Sequence, residues 1–239
     1  MGRAYQNRKE SMAKTSDNNA RVYSRYSREI YVCAKSGGAD SSANLALRSL
    51  IDRAKKDQVP SHVIEKALDK ATGGAGEDFQ PARYEGFGPG GSMVIVECLT
   101  DNPNRTISDV RNCFTKSKCK LGAQGSVSHL FDHLAILSFG GHDEEAVLEA
   151  LLMADVDVTD LESEDDKVTV FVPTNEFAKA QHALNDAFGE IDFDTNEIQF
   201  LPQAYMSLSE EEDIQMFERL TSMLDDVDDV QNVYHNVEG

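Results

Sequence analysis

Four glycines surround Pro89 in the stretch RYEGFGPGG, Arg83 to Gly91, and they give the backbone freedom with which a loop can wrap a phosphate. A dinucleotide-binding fingerprint places such glycines after a strand and at the start of a helix. Here Gly86, Gly88, Gly90 and Gly91 precede the apolar run Met93 to Cys98, and a proline interrupts them. The segment therefore predicts a tight turn that feeds a mostly buried strand, with positive backbone dihedrals at the glycines.

Other candidate chemistry is sparse. His129 and His133 are four apart, which on a helix would put two metal ligands on one face. Gly125 to Ser138 alternates and carries β-formers, so it predicts strand, and no glutamate follows His129 as a zinc protease needs. Cys33, Cys98, Cys113 and Cys119 lack CxxC spacing, and two of them fall inside apolar periodic segments, where a small buried thiol is the ordinary reading. Glu210 to Glu212 and the run Asp225 to Asp229 lack the fixed carboxylate spacing of a metal loop and read as solvated helix ends. No nucleophile, base and orienting group assemble from the sequence, so no enzyme, metal or cofactor is expected.

Cations carry the stronger signal. The net charge is −19, but Met1 to Ala75 holds 14 Lys and Arg against 8 Asp and Glu, a local net of +6. The remainder, Gly76 to Gly239, holds 9 against 34, a net of −25. Such a split predicts a basic module for polyanions and an acidic body that repels them. Arg3, Arg8, Lys9 and Lys14 lie among polar residues too poor in apolar groups to form a core, which predicts a mobile basic arm over 1–20. Arg21, Arg25 and Arg28 recur at i, i+4 and i+7, a cationic stripe distinct from the apolar positions Tyr23, Tyr26 and Ile30. Arg53, Lys55 and Lys56 form the densest cationic run, at a helix C-terminus that also suits the macrodipole. Contact with phosphate is favoured over base reading, because no clear recognition helix is present. Lys116, Lys118 and Lys120 alternate and would point the same way on an extended segment, although a solvated loop is the simpler reading.

The elements that position these residues follow from periodicity. Helices are expected over 21–35, then with Leu47, Leu50, Ile51 and Ala54 inward after a cap at Asp40, Ser41 or Ser42, then from Pro60 to the glycines at 73 and 74. That predicts a three-helix domain over 21–75. Beyond it the pattern alternates strand and helix. A middle domain over 80–133 and 205–239 takes strands at Met93–Cys98, Gly125–Asp132, near Glu197–Leu208 and at Val230–Val237. Its helices are expected at Thr106–Thr115, capped by Asn104 or Thr106, and at Glu210–Leu224. An inserted domain over 134–204 takes strands at Leu134–Phe139, Val156–Glu162, Lys167–Val172 and near Ile191–Phe193, with helices at Asp143–Met153 and Asn175–Phe188. Each unit reads as βαβ repeated twice, so the expected class is α+β: three helices, then two ferredoxin-like domains, one inserted in the other.

A chain of 239 residues has room for two or three compact cores. No apolar run reaches the length of a membrane span, and the first twenty residues lack the apolar centre of a signal peptide. Neither an anchor nor a membrane partner is expected, and the cytoplasm is the expected compartment.

Several ordered motifs carry a resemblance. RYEGFGPGG, VIVECLTDN, NRT with DVR behind it, LGAQGSV with Phe131, the SGG and VPSHVIEKALDKATGG segments and the terminal DDVQNVYHNVE together resemble the YebC/PmpR family, which includes mitochondrial translational activators of cytochrome c oxidase. The match covers nearly the whole chain. The resemblance implies three domains in this order, no catalytic residues and a role in gene expression. It implies transcriptional regulation through DNA or, as in the mitochondrial branch, action on translation through the ribosome and its RNA, including relief of stalling. Gly2, Arg3, Ala4, Tyr5 and Gln6 replace the common Gly-His-Ser-Lys-Trp start and are closer to the YeeN-like branch. Cys119 and Lys120 stand where relatives commonly carry two glycines.

Overall fold

The computed structural model describes residues 19–73, 76 and 78–238. The fold is mixed helix and sheet: a helical region, then two antiparallel sheets. The chain divides into two compact units, one comprising Leu130–Gln203 and the other the remaining described residues on either side of that insertion. The candidate arm residues Arg3, Arg8, Lys9 and Lys14 lie outside the described residues.

Among the described residues the discontinuous unit begins with three helices, α1 (Asn19–Gly37), α2 (Leu45–Lys56) and α3 (Ser61–Thr72). Their apolar stripes bury Tyr26, Ile30, Ala34, Leu47, Ala54, Val59, Ile64 and Ala67 against one another. Full burial of a residue such as Ile30 or Leu47 contributes about 1.5–3 kcal/mol. The α2 cap differs from expectation. Asn44, and none of Asp40, Ser41 or Ser42, accepts from the Leu47 amide at 3.1 Å. Asp40 instead accepts from the Ser42 amide and hydroxyl in a local turn, leaving Asn44 next to the first helical turn, where a cap must sit.

The same unit contains a sheet in the order β3-β1-β2-β8, from β1 (Gln80–Phe87), β2 (Met93–Thr100), β3 (Lys120–Leu121) and β8 (Val230–His235). Helices α4 (Pro103–Lys116) and α7 (Glu211–Asp225) belong to it, and Val94, Val96, Cys98, Val110, Cys113, Phe114, Leu220, Leu224 and Val230 make their shared core. The α4 cap is Asn102, which accepts from the Arg105 amide at 3.2 Å, with Pro103 as the first helical residue. Asn104 and Thr106, the expected caps, are therefore already inside the helix.

One strand comes from an unexpected place. The position assigned to Glu197–Leu208 is filled by β1, which pairs with β2 through the turn 88–92, where the Gly88 amide donates to the Ser92 carbonyl at 2.7 Å. A short local hairpin closes far more cheaply than a strand returning after an insertion. Gly90 and Gly91 adopt φ of +63° and +83° there, as expected of the turn. Gly86 serves a different end: a Cβ on it would lie 2.4 Å from the Phe114 ring and 2.8 Å from the Lys120 carbonyl.

The inserted unit is β4 (Phe131–Gly140), α5 (Glu144–Met153), β5 (Asp160–Glu164), β6 (Lys167–Pro173), α6 (Phe177–Phe188) and β7 (Thr195–Pro202), with sheet order β5-β6-β4-β7. That is the ferredoxin-like arrangement, all neighbours antiparallel. Val168, Val170 and Val172 of β6 meet Val147 and Leu151 of α5 and Ala180 and Leu184 of α6 in its core. Ile191–Phe193 is not strand. Phe193 instead packs edge-on against Phe139 at 5.4 Å, and the strand begins at Thr195. Val156–Glu162 gives way to a strand starting at Asp160. Gly125–Asp132 is mostly turn, with a short 3-10 segment at Ser128–Leu130 before β4.

Candidate nucleic-acid interface

Helical spacing places Arg21, Arg25 and Arg28 on one stripe of α1, as the sequence requires, but the stripe does not face open solvent. Arg21 pairs with Asp226, Arg25 with Asp225 at 3.0 Å and Arg28 with Asp229 at 3.1 Å. Arg28 also donates to the Asp228 carbonyl. The acidic run that spans the end of α7 and the residues just after it, read from sequence as a solvated end, is thus the partner of the cationic stripe within one unit.

Asp229 is the hub. It is 2% exposed, and its carboxylate accepts from Arg105 at 2.8 Å, from the Thr106 hydroxyl at 2.7 Å and from the Thr100 hydroxyl at 3.1 Å. Its carbonyl accepts from the Leu99 amide at 2.8 Å. Burial alone would raise its pKa, but the Arg105 and Thr106 hydrogen bonds and the nearby guanidiniums outweigh burial and hold it below the ordinary aspartate value. Sequence inspection missed this residue, because an aspartate within an acidic run has the pattern of a solvated one. The signal that could have found it is TDNPNRT, where two hydroxyl residues and an arginine flank a helix start.

A second buried carboxylate joins two more motifs. Glu85, 2% exposed, accepts from the backbone amides of Gly125, Val127 and Ser128 at 2.9, 2.8 and 2.9 Å. Burial opposes its charge, yet those amides and the Ser128 hydroxyl prevail and lower its pKa. The clamp fixes the LGAQGSV loop and prevents 125–128 from laddering as strand.

The remaining cations are distributed as follows. Arg53 meets Glu29 at 2.9 Å and lies 5.7 Å above the Tyr26 ring. Lys55 pairs with Asp52 at 3.4 Å, and both Lys55 and Lys56 are exposed. Arg48, Lys66 and Lys70 are also exposed on α2 and α3. Lys118 reaches Glu212 at 2.9 Å and adopts φ of +55°, so Lys116, Lys118 and Lys120 do not share an extended run.

A cleft of about 790 Å³ opens beside Arg28, Lys70 and Arg105. Asp101, Asp109, Asp226, Asp228 and Asp229 also line it, so as it stands carboxylates outnumber cations and it is a poor phosphate cradle. Burial pushes the Cys98 thiol up to about 12 and the Cys119 thiol to about 11, values at which neither is a nucleophile near neutral pH. The His129 Nδ1–H donates to the Gly125 carbonyl at 3.2 Å, and His133 stacks on Phe200 at 4.1 Å. No helix among the described residues is long and apolar enough to cross a membrane.

A helical region ion-paired to an antiparallel sheet with its two helices, and a ferredoxin-like unit inserted in the sequence between them, define a mixed α+β architecture. The chain belongs to the TACO1/YebC family: the model of its N-terminal domain matches residues 3–74, and that of its second and third domain matches residues 79–237. A "probable transcriptional regulatory protein" of Hydrogenovibrio crunogenus is 71% identical over 238 residues, covering 100% of both chains. One of Marinomonas sp. with the same description is 69% identical over 238 residues, again covering 100% of both. The crystal structure of a conserved hypothetical protein, Aq1575 from Aquifex aeolicus, matches with TM-score 0.75 and 32% identity, over 95% of this chain and 93% of that one.

Proposed function

We propose that this chain is a non-enzymatic regulator of gene expression that binds nucleic acid, with DNA as its target, through its basic N-terminal sequence and the cations of α1 to α3. The observation that carries the reading is the charge split, +6 over residues 1–75 against −25 over the rest, with Arg48, Lys55, Lys56, Lys66 and Lys70 exposed on α2 and α3. The regulatory names of close relatives support it. The elevated cysteine thiols, and the lack among the described residues of a convergent acid, base and nucleophile, support a non-catalytic role. A soluble cytoplasmic protein fits this role.

A second reading is a translation factor that contacts ribosomal RNA. The exposed cations are mostly lysine, and a point charge binds phosphate without distinguishing DNA from RNA, so they fit this reading equally well. In-cell crosslinking separates the two. Recovery of discrete chromosomal fragments supports the first, and recovery of ribosomal RNA supports the second. Recovery of neither overturns both.

Binding through about seven of these cations should weaken roughly 10³- to 10⁴-fold between 50 and 200 mM salt. A flat response in a filter-binding titration argues against the phosphate contact.

A further inference from the structure

We propose that Asp225 and Asp226 are an internal stand-in for nucleic-acid phosphates, holding the Arg21 and Arg25 guanidiniums until a polyanion displaces them. The inference rests on the nucleic-acid reading above and concerns how that same surface is regulated. Carboxylate and phosphate present similar oxygen pairs to a guanidinium, so an acidic run can occupy arginines that phosphates would otherwise hold.

The three pairs are graded from a fixed end to a loose one. At Arg28–Asp229 the side chains are 18% and 3% exposed, and Asp229 is further held by Arg105, Thr100 and Thr106. At Arg25–Asp225 they are 24% and 42% exposed, and at Arg21–Asp226 they are 38% and 55% exposed. The inner pair is an anchor. Ion pairs as exposed as the outer two each change an equilibrium by no more than about five-fold, so competing ligands can break them without unfolding the region. The outermost pair also lies closest in sequence to the basic stretch 1–20, where a bound polyanion would first accumulate. Engagement therefore proceeds inward from Arg21 to Arg25 and stops at Arg28.

The test uses the full chain with labelled mixed-sequence duplex DNA, and separately with purified ribosomal RNA, in low-salt anisotropy titrations. The double variant Asp225→Asn/Asp226→Asn should bind about 3- to 30-fold more tightly than the parent. A control with the same charge change, Glu144→Gln/Glu149→Gln on α5, should gain less than about two-fold from net charge alone. Adding Arg21→Ala/Arg25→Ala to the neutralised protein should erase the gain. The single Asp226→Asn, at the most exposed pair, should show a smaller gain and guards against misfolding of the double variant, which a thermal melt would report.

The latch is overturned if the parent binds and the neutralised protein binds no better than the control. It is overturned equally if the gain survives loss of both arginines. If no version binds either polymer, the nucleic-acid reading itself falls, and the latch with it.

Discussion

Arg28 and Asp229 meet at 3.1 Å across 201 residues of sequence, the most buried of the three ion pairs that join α1 to the segment running from the end of α7 to β8. The contact does more than neutralise charge. Asp229 sits where β2, α4 and β8 converge, so the same carboxylate that receives Arg28 also satisfies the hydroxyls of Thr100 and Thr106, both fully buried. Helical region and sheet are thereby coupled through one polar network, in which the Thr106 hydroxyl also reaches the Thr100 hydroxyl at 2.7 Å and the Asn102 carbonyl at 3.1 Å.

Asp229→Ala should destabilise the protein by about 3 kcal/mol, because it leaves two buried hydroxyls and two guanidiniums without their shared acceptor. Arg105 and Arg28 are 46% and 18% exposed, so water recovers part of the loss and keeps it from the top of the range for buried pairs. Asp229→Asn should cost less, since it keeps one acceptor oxygen. Urea denaturation of the three proteins measures this, and an Ala variant as stable as the parent contradicts the network's importance.

The glycines of the RYEGFGPGG segment should divide into two kinds. Gly86→Ala drives a methyl into the Phe114 ring and the Lys120 carbonyl, and the backbone contact cannot yield, so about 1–3 kcal/mol of stability should be lost. Gly91→Ala meets nothing within 4 Å but must hold φ at +83°, which costs about 1 kcal/mol. Thermal melts of both variants should rank Gly86→Ala lower, and the reverse order would contradict the close approach of β1 to α4.

Capping of α2 gives a sharper contrast. Asn44 accepts from Leu47 and donates to the Gly38 carbonyl at 2.9 Å, so it closes the end of α1 as well as the start of α2. Asn44→Ala should cost about 1–2 kcal/mol, whereas Asp40→Ala leaves that cap in place. Equal losses from both substitutions, measured by urea denaturation, would return the cap to the Asp40 turn.

Local physics was legible in the sequence and distant pairing was not. The apolar spacing of Tyr26 and Ile30, or of Val110 and Phe114, depends only on neighbours, and it yielded helices whose buried faces are those observed. The alternation of Arg83 to Phe87 was readable as strand only with the partner β2 known, since glycines dilute its pattern. Glu85 and Asp229 look like surface acids in sequence. Their acceptor roles depend on amides 40 to 43 residues away and on arginines 124 and 201 residues away, which no local pattern encodes. For the same reason the stripe Arg21, Arg25, Arg28 was found by spacing while its partners were not.

Acid should unfold the protein through those two carboxylates. Both are held below their ordinary pKa values in the folded state, whereas the unfolded chain restores them to about 4. The unfolded state therefore binds protons first as the pH falls. The stability contributed by Glu85 and Asp229 is complete above about pH 5, begins to fall near pH 4 and is lost as the folded pKa values are crossed. Denaturation midpoints between pH 7 and pH 3 should be level and then drop. Glu85→Gln should lower the plateau and flatten the drop, because a neutral amide accepts from the 125–128 amides at any pH but less strongly than a carboxylate. Amide exchange should become faster at Gly125, Val127 and Ser128 in that variant. Unchanged protection there, or an acid limb as steep as the parent's, would remove Glu85 from the account of how the LGAQGSV loop is held.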